Sequence, residues 1–241
     1  TGWDMKAMIK MMVMSSTYQQ TAKVSPELLA VDANNLLLAR SSRDKLTAEM
    51  IRDNALAVSG LLVNKIGGPS VKPYQPEGLW AETTSGQGLT KYIMDAGESQ
   101  YRRSLYTFWK RTVPPPSMMT FDAPTRDFCE VKRQKTSTPL QALVMLNDPQ
   151  LIEAAGYLAK STLKDNTLSK DERVKRIFRK ITSRFPTEEE LDRLIQYVET
   201  VENDFETNSD IDKTETTSKT EYAYTLLSSL IFNLDEAIIK G

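Results

Sequence analysis

Residues 136–155 read TSTPLQALVMLNDPQLIEAA, and two helix starts are written into them. Thr138-Pro139-Leu140-Gln141 places Thr at the N-cap, Pro at the first helical position and Gln at the third. In that arrangement the Thr hydroxyl takes the amide of residue 141, while the Gln side chain reaches back to the cap. Asp148-Pro149 starts a second helix in the same way. A residue before Pro avoids the α region, so the first helix must end at Asn147. Beyond it, Ile152, Ala155, Leu158 and Ala159 fall at helical spacing and give one apolar stripe.

The same grammar extends toward the C-terminus. Ser169-Lys170-Asp171-Glu172 is a capping box followed by Val174, Ile177, Phe178 and Ile181. Thr187-Glu188-Glu189-Glu190 is another, followed by Leu191, Leu194, Ile195, Val198 and Val201. Its acids suit the positive end of a helix dipole. Residues 207–220 are rich in Ser, Thr, Asp and Lys and are expected to form a mobile loop. A last helix is expected from about Glu221 to Ile239, with Ala223, Leu226, Leu227, Leu230, Ile231 and Leu234 on one face.

Toward the N-terminus, Thr47, Ile51, Ala55, Val58 and Leu62 form a stripe whose exposed flank carries Glu49, Arg52 and Asp53. Ser25-Pro26 reads as a cap and first turn, and Asp32 as the cap of a short helix through Leu36, Leu37 and Leu38. Trp3 to Tyr18 carries Met5, Met8, Ile9, Met12 and Val13 at a spacing that predicts a buried stripe. Gly67-Gly68-Pro69-Ser70 reads as a helix stop. The Pro-rich, aromatic stretch to Trp80 reads as an ordered loop, as does the region from Thr112 through Pro114-Pro115-Pro116 to Arg133. Between these loops, Tyr101 to Thr112 has the aromatics of a strand and the length of a helix; in an all-α setting a helix is expected. No internal repeat and no βαβ rhythm is present. The chain therefore reads as one all-α, multi-helix globular domain over 1–241, with two long ordered Pro/Gly/aromatic-rich loops.

Composition removes several chemistries. The 241 residues include one Cys and no His. That excludes a Ser-His-Asp triad, a Cys-His pair, a His-ligated zinc, a CxxCH haem attachment and an internal disulfide. No metal ligand set is apparent. A net charge of −1 argues against nucleic acid as a partner. No stretch approaches the ~20 apolar residues of a membrane span. Charge is uneven, however. Residues 101–135 hold eight Lys or Arg against three acids, and residues 186–216 hold eleven acids against two cations.

The basic segment supplies the candidate binding residues: Arg102, Arg103, Tyr106, Trp109, Lys110 and Arg111, with Asp122, Arg126 and Arg133 beyond the prolines. Arginine forks pair with carboxylate, sulfate or phosphate, and aromatic faces receive a sugar ring or a guanidinium. Such a set could hold an anionic polysaccharide. The competing reading is a structural network, in which the arginines tie the loops to Glu49, Asp53, Asp122 and Asp127. Glu49, Arg52 and Asp53 would be its helical anchor. The carboxylates could also hydrolyse a glycoside, although Glu49 and Asp53 at i,i+4 suit ion pairs equally well. The N-terminal methionines read as core filling or a partner-facing stripe, and Cys129 as an inert buried thiol.

The strings LLLARSSRDKLTAEMIRDNALAVSGLL (36–62), IGGPSVKPYQPEGLW (66–80), YRRSLYTFWKRTVPPPSMMTFDAPTRDFC (101–129), the opening stretch above and LLSSLIFNLDEAII (226–239) closely resemble a planctomycete-type domain of unknown function, family fifteen-fifty-three. Ser137 stands where that family usually has Asn. The resemblance implies that the chain is the C-terminal portion of a larger polypeptide. Another uncharacterised domain and a planctomycete-type cytochrome c domain would lie upstream as its partners. It also implies an extracytoplasmic location, and a c-type haem on the upstream domain with no cofactor in this chain. The family carries no established activity to transfer. The expected function is a non-catalytic docking or ligand-binding module. Binding or hydrolysis of a sulfated or otherwise anionic polysaccharide is the alternative.

Overall fold

A computed structural model describes residues 2–82, 91–207 and 218–240. In chain order its elements are α1 (Met5–Val13), α2 (Pro26–Val31), β1 (Asp44–Lys45), α3 (Ala48–Ser59), α4 (Leu79–Glu82), α5 (Pro116–Thr120), α6 (Pro139–Asn147), α7 (Pro149–Leu163), α8 (Lys170–Thr182), α9 (Glu188–Thr207), α10 (Lys219–Phe232), α11 (Asp235–Ile238) and β2 (Ile239–Lys240). Two 3-10 turns, Gly97–Tyr101 and Ser104–Tyr106, sit between α4 and α5. The protein is mostly α-helical. The loop expected over 207–220 lies almost wholly outside the described residues.

Contacts group the described residues into two units. In the larger, residues 46–238, the caps act as their chemistry dictates. Thr138 and Gln141 close a reciprocal box, and Ser169 and Glu172 close another. Thr187 and Glu190 exchange the same pair of bonds, and Asp148 accepts from the amides of Gln150 and Leu151. α7 is the central helix. Its Ala154, Ala155, Leu158 and Ala159 are fully buried. The small residues of α7 bring α10 close: a Cβ added at Gly156 would lie 3.9 Å from Thr225. α3, α8 and α9 complete the core with Ile51, Ala55, Val174, Ile177, Phe178, Ile181 and Val198. Each large apolar side chain buried this way contributes roughly 1.5–3 kcal/mol.

Four expectations change in this unit. α3 stops at Gly60, whose φ of 85° makes a left-handed C-cap, so neither Leu62 nor Gly67-Gly68 belongs to that helix end. The final helix breaks after Phe232, with Asn233 as its cap, and resumes as the short α11. Tyr101 to Thr112 forms no α-helix, because its backbone is claimed from a distance. Tyr101 accepts from the amide of Val63, Tyr106 accepts from that of Val71, and the Phe108 amide donates to Val71. Glu49, Arg52 and Asp53 are not an exposed flank: side-chain exposure is 20% for Glu49, 11% for Arg52 and 21% for Asp53.

Arg184 joins the turn after α8 to α9 and α11. It bonds both oxygens of Glu190 and both of Glu236 at 2.7–2.8 Å, and it stacks over Phe178. Those hydrogen bonds hold the Glu190 carboxyl down at about 2. A depressed carboxylate pKa stabilises the fold fully above the unfolded value, near ~4.3. That contribution disappears as pH falls through about 2. Because the groups are partly exposed, Arg184→Gln is expected to cost about 1 kcal/mol at pH 7. The gap between variant and parent, read by urea unfolding, should narrow progressively between pH 5 and pH 2.

The smaller unit comprises residues up to 45 with 239–241. β1 pairs antiparallel with β2, Asp44 opposite Lys240 and Lys45 opposite Ile239. Asp4 caps α1 and Ser25 caps α2. Two readings are corrected here. Asp32 ends α2 instead of starting a helix: its buried carboxylate accepts from the amides of Leu36 and Leu37, which folds 32–40 into a loop. The stripe of α1 is not buried. Met5 is 61% exposed, Ile9 55% and Met12 54%.

Candidate functional site

The geometry is built from α3 outward. One turn into that helix, Arg52 points under the two loops. Its guanidinium donates to the carbonyls of Gln100 (2.6 Å) and Arg102 (2.9 Å), to the Ser104 hydroxyl (3.0 Å) and to the Gln150 side chain. Burial pushes its pKa down to about 10, partly offset by Asp53 and Asp148. It therefore remains a cation at neutral pH.

Arg102 performs the equivalent task one layer further out. Only 5% of the residue is exposed. Its guanidinium donates to the carbonyls of Pro69 and Lys65, each at 3.0 Å, and to that of Gly67. The same group lies 3.9 Å above the Tyr106 ring, and the Tyr106 hydroxyl accepts from the Gly67 amide at 2.8 Å. The Gly67-Gly68 turn needs φ of 79° and 87° to aim those carbonyls inward, which L side chains resist. Lys65, Gly67 and Pro69 are exposed residues, yet their carbonyls turn inward to the buried Arg102, so one loop's arginine supplies donors for the other's backbone.

The carboxylates are similarly engaged. Asp53 accepts from the Ser104 amide at 2.7 Å and lies 3.8 Å from Arg103. Glu49 pairs with Arg133 at 2.7 Å. Half-burial alone would raise its pKa, but the Arg133 hydrogen bond and charge hold it below its ordinary value. Asp122 was expected to take an arginine. Instead, at φ 59°, it accepts from the amide (2.7 Å) and hydroxyl (2.9 Å) of Thr136, which Gln141 also contacts. Asp127 is exposed.

The remaining candidates are scattered. Trp109 donates to the Thr125 carbonyl at 3.2 Å with Arg126 stacked over its ring, and Lys110 lies over Trp80. Arg103 and Arg111 are exposed. Cys129 is exposed, contrary to the buried thiol expected of it. Among the described residues no group of His, Cys, Asp and Glu could hold a metal ion, and no helix is long and apolar enough to cross a membrane. With one Cys and no His, the chain offers no attachment for a c-type haem.

Several participants carry no sequence signal of their role. Gln100 and Gln150 complete the network, yet nothing in their spacing marks them; Gln141 is marked only as a cap partner. A second basic surface, on α8 with Lys175, Arg176, Arg179 and Lys180, is not among the residues singled out from the sequence. Its charge density could have drawn notice.

Fold and site together define an α-helical scaffold carrying two loops clamped by buried arginines. The chain belongs to the family described as PSD1, protein of unknown function (DUF1553), whose signature matches residues 1–198. No curated protein and no solved structure matches it.

Proposed function

We propose that this chain is a non-catalytic docking module of an exported, multidomain, cytochrome-associated protein. One observation carries the reading: the groups best suited to chemistry hold the protein's own backbone. With no His, proton transfer would fall first to carboxylates. Glu49, Asp53 and Asp122 each bind a different structural partner. Arg52 and Arg102 end mainly on backbone carbonyls.

The outward face of α1 is largely apolar. α1 displays Met5, Met8, Ile9 and Met12, and an exposed methionine-rich face adapts readily to a partner. The partner fitting the family context is the cytochrome c domain or the other uncharacterised domain of the same polypeptide, in an extracytoplasmic compartment. Sedimentation velocity of the full chain mixed with a planctomycete-type cytochrome c domain tests this. A complex is expected, and Met8→Glu combined with Met12→Glu should weaken it at least tenfold. No complex, or a complex indifferent to those two changes, would overturn the reading.

A further inference from the structure

The outer side of α8 carries an excess of positive charge that the fold does not balance. Lys175 and Arg179 stand one turn apart, as do Arg176 and Lys180, so the four form two adjacent rows. Two acids are near. Glu172 is turned to its capping box, accepting from the Ser169 amide at 2.8 Å and hydroxyl at 2.9 Å. Asp165 pairs with Arg176 at 3.0 Å. Among the described residues, Lys175, Arg179 and Lys180 have no acid within ion-pair distance. Crowding has a consequence: after burial, the Arg176 charge further lowers the Lys180 pKa. The helix dipole accounts for cations in the last turn, Arg179 and Lys180, but not for Lys175 and Arg176 one turn earlier.

These cations, with Glu172 and Phe185, line an open surface hollow of about 430 Å³. That volume lies in the range small ligands fill. Phe185 is 59% exposed, and the Arg179 guanidinium lies 4.4 Å over its ring. An exposed Phe that faces a cationic hollow suits a ligand with both an anionic group and an apolar ring face.

We propose that the α8 hollow, formed by Lys175, Arg176, Arg179, Lys180 and Phe185, binds a small sugar bearing a sulfate or phosphate group. The oxyanion would sit among the cations and the sugar ring against Phe185.

Amide chemical-shift mapping of the full chain tests it, titrating a sulfated disaccharide, glucose 6-phosphate, the unsulfated disaccharide and sodium sulfate at matched ionic strength. Saturable shifts confined to residues 172–185 are expected with one or both charged sugars, and whichever binds identifies the oxyanion. Lys175→Glu with Lys180→Glu should weaken binding at least tenfold while the remaining spectrum stays unchanged. Phe185→Ala should weaken the sugar several-fold. Equal shifts from sodium sulfate alone, equal binding of the unsulfated disaccharide, shifts centred elsewhere or no saturable shift would each overturn the proposal.

Discussion

Arg52→Ala is expected to destabilise the larger unit by about 3–5 kcal/mol, a large effect for a single polar side chain. Truncation removes a donor from acceptors in two chain segments at once: the carbonyls of Gln100 and Arg102 and the Ser104 hydroxyl in one, and the Gln150 side chain of α7 in the other. Water cannot replace the guanidinium freely, because the side chain is only 11% exposed. Asp53 and Asp148 would also lose the favourable charge of the guanidinium beside them. Urea unfolding at pH 7 reads the change directly. Arg52→Lys should recover little, since an ammonium cannot span donors fixed in a planar fork. A loss below about 1 kcal/mol in the Ala variant would mean that the loops hold themselves, and the clamp would have no energetic meaning.

Arg102→Ala should be the second largest, at about 2–4 kcal/mol, and more local. It removes donors to Lys65, Gly67 and Pro69 and the stack on Tyr106. The helices of the core do not depend on those carbonyls. The variant should therefore keep its helical content while residues 63–71 become susceptible to limited proteolysis. Cooperative collapse of the whole unit at the same mild temperature would show that the loop and core are one folding unit.

These two arginines also show what the sequence can and cannot disclose. The caps at Thr138, Asp148, Ser169 and Thr187 were legible because each is settled within three or four residues. The stripe of α3 was legible for the same reason, apart from its end, which Gly60 takes in a left-handed turn. Arg52 was placed on an exposed flank because helical spacing says which face a residue occupies, not whether a distant loop returns to cover it. The pattern of Tyr101 to Thr112 does not show its true state, because its hydrogen-bond partners lie some thirty-five residues earlier, at Val63 and Val71. The α1 methionines sit at the spacing of a buried stripe, yet that spacing does not distinguish a face against a core from one left open. Of the candidate site, the residue types were visible; their partners were not. Arg102 was flagged as a binding residue for its chemistry, and that chemistry is directed at its own chain.

Native-state amide hydrogen exchange tests the central claim most directly, the claim being that buried arginines lock the loops into the fold. Amides at Val63, Val71, Lys72, Ser104 and Phe108 each donate within the loop network or to α3. They should exchange as slowly as those of α7, and Arg102→Ala should release Val63 and Val71 while sparing α7. Fast exchange of those loop amides in the unaltered chain, against a protected α7, would contradict the account.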